Sequence, residues 1–125
     1  MSSVPPPAGL PDLFLDRSLG RVLVPRLLRE SGLTLVTLAE RYGVPADERV
    51  SDEQWLADAG RRREVVFMKD ARVRYNAAEK AAIRHHRVRC FCLRRQDLAA
   101  SEMAARFLRS LNRIAAICQK PRPFL

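Results

Sequence analysis

No run in this sequence approaches the roughly 18–20 consecutive apolar residues that a membrane-crossing helix requires, so a helical channel or carrier is set aside. The opening stretch, Met1 to Pro11, lacks a basic segment followed by an apolar one. It does not read as a secretory signal, and the chain is expected to be cytoplasmic, with no membrane partner. Cysteine is scarce, and the Cys90-Phe91-Cys92 spacing is not the CxxC of a zinc knuckle or redox site. Alternation along Val88-Arg89-Cys90-Phe91-Cys92-Leu93 puts both sulfurs on one face of a strand, where thiols behave as small hydrophobes. With Cys118 they make an odd set, which fits a reducing compartment. Lysine occurs only at positions 69, 80 and 120.

Arginine takes its place. Lys+Arg number 23 against 14 Asp+Glu, a net charge of +9. Guanidinium forks match phosphate oxygens in pairs, so the excess suggests a polyanionic partner, either nucleic acid or an acidic protein. A merely solvated basic face is the plainer alternative. At 125 residues and 47% apolar, the chain holds one core and one domain. Residues 1–11, with Pro5-Pro6-Pro7, read as a flexible lead-in, 12–120 as the domain and 121–125 as a tail.

The pattern alternates strand and helix. Residues 12–16 read as a buried strand. Ser18 can cap the helix after it, and Leu19, Val22, Leu23, Leu27 and Leu28 recur at helical spacing. Pro25 argues against one continuous helix from 18 and fits a turn followed by a helix with Pro in its first turn, which Gly32 ends. Leu33 to Leu38 is a second strand, and 39–50 reads as a short helical turn and a loop. Ser51 to Gln54 has the capping-box spacing that opens a helix, which Gly60 and Arg61-Arg62-Arg63 close. A third strand runs from Glu64 to Met68, then a helix from Ala77 to His85 and a fourth strand from Val88 to Leu93. One last helix, from about Ala99 to Cys118, has Met103, Phe107, Leu111, Ile114 and Cys118 on its inner face. Such alternation predicts an α/β three-layer sandwich with a four-stranded parallel sheet. With the order 2-1-3-4, the switch point lies between strands 1 and 3.

That is where two aspartates fall. Leu13-Phe14-Leu15 leads into Asp16, and Val65-Val66-Phe67-Met68 leads through Lys69 into Asp70. Asp52 opens the helix that feeds strand 3, so it starts on the same side of the sheet. Three carboxylates brought together repel unless a cation lies between them, and hard oxygen ligands of this kind suit Mg²⁺ or Mn²⁺. Each acid also has a bland reading. Asp52 can be a dipole-favoured acid at a helix start, Asp70 can open a turn, and Asp16 can cap the next helix in place of Ser18. Asp12 precedes its strand and falls at the opposite edge.

Three segments together, Phe14-Leu15-Asp16-Arg17-Ser18-Leu19-Gly20, Ser51-Asp52-Glu53-Gln54-Trp55-Leu56-Ala57 and Val65-Val66-Phe67-Met68-Lys69-Asp70, resemble the compact PIN-like domains, most closely the VapC-type toxins of bacterial toxin–antitoxin pairs. The resemblance runs over roughly residues 12–118. It implies a metal-dependent endoribonuclease that hydrolyses RNA phosphodiesters with a metal-activated water, a cognate antitoxin that holds it inactive, and a possible homodimer. It places metal-ligand roles on Asp16, Asp52 and Asp70, with Glu53 as the fallback for the second. The chain departs from the family pattern at Met68, where a Ser or Thr is usual. It also lacks a clear fourth acid, with Asp97 alone near that position.

Around these acids, Arg17, Lys69, Arg72, Arg74 and Asn76 are candidates for contact with the RNA. Arg61-Arg62-Arg63 falls at the far edge of strand 3 and reads as a solvated cluster or an antitoxin contact. His85-His86 closes a helix, with no acid nearby in sequence to orient either ring as a base. Trp55 shares a face with Leu56 and Ala59 and belongs to the core. A degenerate, non-catalytic PIN-like module that binds RNA or a partner protein is the competing function.

Overall fold

The computed structural model describes residues 7–69, 77–93 and 98–119. Its elements in chain order are β1 (Leu13–Leu15), a 3₁₀ turn (Arg17–Leu19), α1 (Leu23–Glu30), β2 (Leu35–Thr37), α2 (Leu38–Tyr42), a second 3₁₀ turn (Ala46–Arg49) and α3 (Asp52–Arg61). Then come β3 (Val65–Met68), α4 (Ala77–His85), β4 (Arg89–Cys92), α5 (Ala100–Arg109) and α6 (Leu111–Ile117). The four strands form one parallel sheet in the order β2-β1-β3-β4. This is the expected architecture, and it puts the ends of β1 and β3 side by side.

The register explains the layers. Leu13 lies opposite Val65, Phe14 opposite Val66 and Leu15 opposite Phe67. Side chains alternate across a pleated strand, so Leu13, Leu15, Val65 and Phe67 enter one core with α1, α5 and α6. Phe14, Val66 and Met68 enter the other with α2, α3 and α4. Both faces of β1 and β3 are covered, which is why their sequences read as unbroken apolar runs. Phe67 stacks on Phe107 of α5, with ring centroids 4.1 Å apart and planes 3° from parallel. Trp55 is buried against Phe14 at 5.5 Å, as its place on α3 predicts. Cys90 and Cys118 are buried and Cys92 partly so, all three as free thiols in the cores.

Three expectations need correction. The region after β2 is more ordered than a turn and a loop. Thr37 and Glu40 form a reciprocal capping box that starts α2, and a 3₁₀ turn comes next at Ala46–Arg49. The single helix expected from Ala99 to Cys118 is two helices, which part at Ser110. Met103, Phe107, Ile114 and Cys118 still face the core, because the break leaves the apolar stripe on one side. Gly60 does not end α3 but lies inside it. A Cβ there would meet the His86 carbonyl oxygen at 2.1 Å, so the glycine is what lets α4's end lie against α3. Among the described residues, no helix is long and apolar enough to cross a membrane.

Candidate active site at the carboxyl edge of the sheet

Asp16 follows β1 directly and is 8% exposed. Its backbone N–H donates to the Phe67 carbonyl at 3.3 Å, which ties it to the neighbouring strand. Asp16, rather than Ser18, caps the 3₁₀ turn. Its Oδ1 accepts the Ser18 backbone N–H at 3.1 Å and the Ser18 hydroxyl. The same Ser18 oxygen accepts the Lys69 backbone N–H at 2.8 Å. One hydroxyl thus links the ends of β1 and β3 and orients Asp16. Met68, which lacks a hydroxyl, is instead a buried core residue. Both hydrogen bonds to Asp16 end on Oδ1, and among the described residues Oδ2 has no donor.

Burial pushes the Asp16 carboxyl up to about 6, only partly opposed by the two Ser18 hydrogen bonds. The Asp52 carboxylate adds to that rise through space. Asp52 begins α3 and is held there by two neighbours. The Trp55 indole N–H donates to its Oδ1 at 2.9 Å, and Arg17 Nη1 lies 3.7 Å from the same atom. The helix is fixed at this end by Ser51, whose hydroxyl accepts the Gln54 N–H at 3.1 Å. Gln54 does not return the bond, so only half of the expected capping box forms. Asp16 and Asp52 are therefore near enough for their charges to interact.

Glu53 points elsewhere. Its Oε1 lies 2.7 Å from His86 Nε2 at the end of α4. The fallback ligand is thereby engaged on the far side of α3, and His86 has the acidic partner that local sequence gave no sign of. Arg17 makes further contacts beside the acids. Its Nη2 donates to the carbonyls of Asp47 at 3.1 Å and Val50 at 2.6 Å, so the guanidinium ties the first turn to the segment entering α3. Beside Asp16 a cleft of about 280 Å³ opens, lined in part by Arg17, Arg21, Thr37 and Asp47. Asp47 is buried and receives Arg21 in a two-point bond, at 2.8 and 3.0 Å. Sequence reasoning missed this acid, because its partner lies 26 residues away. Asp70, Arg72, Arg74, Asn76 and Asp97 lie outside the described residues. Among the described residues, no group of three or more His, Cys, Asp or Glu side chains forms a metal site.

The donors present fit a hard divalent cation. A buried carboxylate with one uncommitted oxygen, raised by desolvation and by a second carboxylate, is relieved by positive charge from outside the chain.

Residues 11–95 match the family model described as "PIN like domain". The chain is also 42% identical over 118 residues to a Mycobacterium tuberculosis protein named "Putative ribonuclease VapC45", across 94% of this chain and 86% of the relative. No solved structure matches. With its four parallel strands in 2-1-3-4 order, the paired acids at their carboxyl edge, and these likenesses over most of its length, the chain belongs to the PIN-like domain family as a VapC-type protein.

Proposed function

We propose that this protein is a divalent-metal-dependent endoribonuclease of the toxin type, with Asp16, Asp52 and Asp70 as its metal ligands. The observation that carries this reading is Asp16, a carboxylate kept buried at the switch point beside a second acid. The relative named as a ribonuclease supports the substrate class, as does the net charge of +9. Mg²⁺ or Mn²⁺ held by these acids would supply an activated water and charge stabilisation at the scissile phosphate.

The chain's own residues do the remaining work. Ser18 orients Asp16 by hydrogen bonds to one carboxylate oxygen and leaves the other for a ligand. Trp55 and Arg17 hold Asp52 at the head of α3. The cleft beside Asp16 gives RNA an approach, with Lys69, Arg72, Arg74 and Asn76 as contacts to its phosphates. Arg17 serves this site as a positioning residue, since its Nη2 is committed to two carbonyls. The reading also implies a cognate antitoxin as partner and a homodimer as assembly.

The test is cleavage of a panel of RNAs with added Mn²⁺ or Mg²⁺. Asp16→Asn is expected to lower the rate at least ~100-fold, and EDTA to abolish cleavage. A variant that cuts as fast as the parent would remove Asp16 from the catalytic site, and a parent that cuts no RNA with either metal would leave the non-catalytic module as the correct reading.

A further inference from the structure

The edge of the sheet opposite the acids carries a second constellation. α3 and α4 both run back to the amino ends of the strands, and each leads into the same backbone device. Past α3, Arg63 has φ 59°, and past α4, Arg87 has φ 56°. Glycine takes this left-handed conformation at no steric cost and is the usual residue there. At both connections the chain holds an arginine instead. Arg62 flanks the first and Arg84 the second, and all four are exposed.

Gly60 brings the two connections together. With no Cβ, it admits the His86 carbonyl against α3, so the two helix ends meet. Arg89 lies beneath, its Nη1 donating to the Arg63 carbonyl at 3.3 Å. Among the described residues, no carboxylate pairs with Arg62, Arg63, Arg84 or Arg87. Asp58 is engaged by Arg61 and Tyr42, and Glu64 by Arg41. Arg84 lies in α4's last turn, where the helix dipole favours it, but Arg63 and Arg87 lie beyond their helices. The large apolar side chains exposed among the described residues are Val22, Leu23 and Val44, none of them on these two connections. A protein interface centres on buried apolar and aromatic groups, whereas a phosphate backbone asks only for unpaired, forked cations.

The geometry points to a second RNA contact: Arg62, Arg63, Arg84 and Arg87 form a phosphate-binding patch that grips the body of a structured RNA away from the acidic edge. This inference rests on the ribonuclease reading for its ligand class and extends it to substrate choice, favouring RNAs large enough to reach both edges.

Two double variants test it, Arg63→Gly with Arg87→Gly, and Arg62→Gln with Arg84→Gln. The glycine pair removes charge while relieving the left-handed backbone, so its melting temperature should equal or exceed the parent's. Binding is measured in EDTA to a stem-loop RNA and to a five-nucleotide single strand, across a range of salt. Each double variant is expected to bind the stem-loop roughly tenfold more weakly and to lower its salt slope by about 2, one for each phosphate no longer neutralised. Binding and metal-dependent cleavage of the short strand should stay within about twofold of the parent. Unchanged stem-loop affinity and slope would overturn the patch, as would equal weakening of both RNAs. Weakened binding of polyglutamate with stem-loop binding intact would also overturn it and assign the surface to an acidic protein. Absence of metal-dependent cleavage of both the stem-loop and the short strand by the parent protein would count against the ribonuclease reading alone.

Discussion

Asp16 is unusual in that the fold opposes its charge. Its carboxyl titrates near 6 instead of near its ordinary value of 3.8, because burial disfavours the ionised form. The folded state therefore holds the proton more tightly than the unfolded chain. The stability this group contributes is fully present below about pH 4 and is lost as pH rises through about 6. The cost at neutral pH is on the order of 3 kcal/mol. Asp16→Asn is accordingly expected to raise the melting temperature by several degrees at pH 7.5, with the gain fading as pH falls toward 4. Thermal melts of both proteins across that range check it. Added Mn²⁺ should stabilise the parent and not the variant. Proximity to a strand end made Asp16 legible in the sequence. The groups that hold it were only partly so, since Ser18 lies two residues away but Lys69 reaches that hydroxyl from 51 residues on.

At the scale of elements, α2 is fastened to the amino end of β3 by a buried ion pair. Both Nη atoms of Arg41 meet the Glu64 carboxylate, one of them at 2.6 Å, and the side chains are 9% and 7% exposed. The same guanidinium lies 4.8 Å from the Phe14 ring centroid. Removing one partner of such a pair leaves a buried, uncompensated charge. Arg41→Met is expected to cost about 3–5 kcal/mol, and Arg41→Met with Glu64→Leu considerably less; urea unfolding of the single and double variants measures the difference. Gly60→Ala should also destabilise strongly, because its Cβ meets backbone instead of a side chain that can turn aside. Strands were the most legible elements, since burial on both faces leaves apolar runs that few other structures produce. The break at Ser110 was not, because neither glycine nor proline marks it and the apolar stripe continues across it. Glu53 and His86 illustrate the same limit from another side: 33 residues separate them, and only the packing of α3 on α4 pairs them.

For the whole molecule, the governing fact is an excess of arginine over acid. Asp16 and Asp52 lie at the carboxyl edge of the sheet; at the amino edge Glu64 and Asp58 are engaged by Arg41 and Arg61, which leaves Arg62, Arg63, Arg84 and Arg87 without a carboxylate partner among the described residues. Several remaining acids are engaged by arginines, among them Glu40 with Arg29 and Glu102 with Arg106 and Arg109. A chain at +9 repels itself when few counterions are present. Raising NaCl from about 20 to about 300 mM should therefore increase the melting temperature, where a protein held by surface ion pairs would lose stability instead. The parallel order 2-1-3-4 followed from the alternation of elements and the handedness of crossovers. The meeting of the two arginine-bearing turns did not, since it depends on how the ends of α3 and α4 pack.

Trp55 is the chain's single tryptophan, and its indole N–H is bonded to Asp52 while its ring rests on Phe14. The protein thus carries one indole fluorophore wired to one carboxylate of the candidate site. A ligand that draws on Asp52 must alter the hydrogen bond at Nε1, so the emission reports occupancy with no label attached. Mn²⁺, a paramagnetic quencher, should dim that emission in a saturable way, and Asp52→Ala should leave it unresponsive.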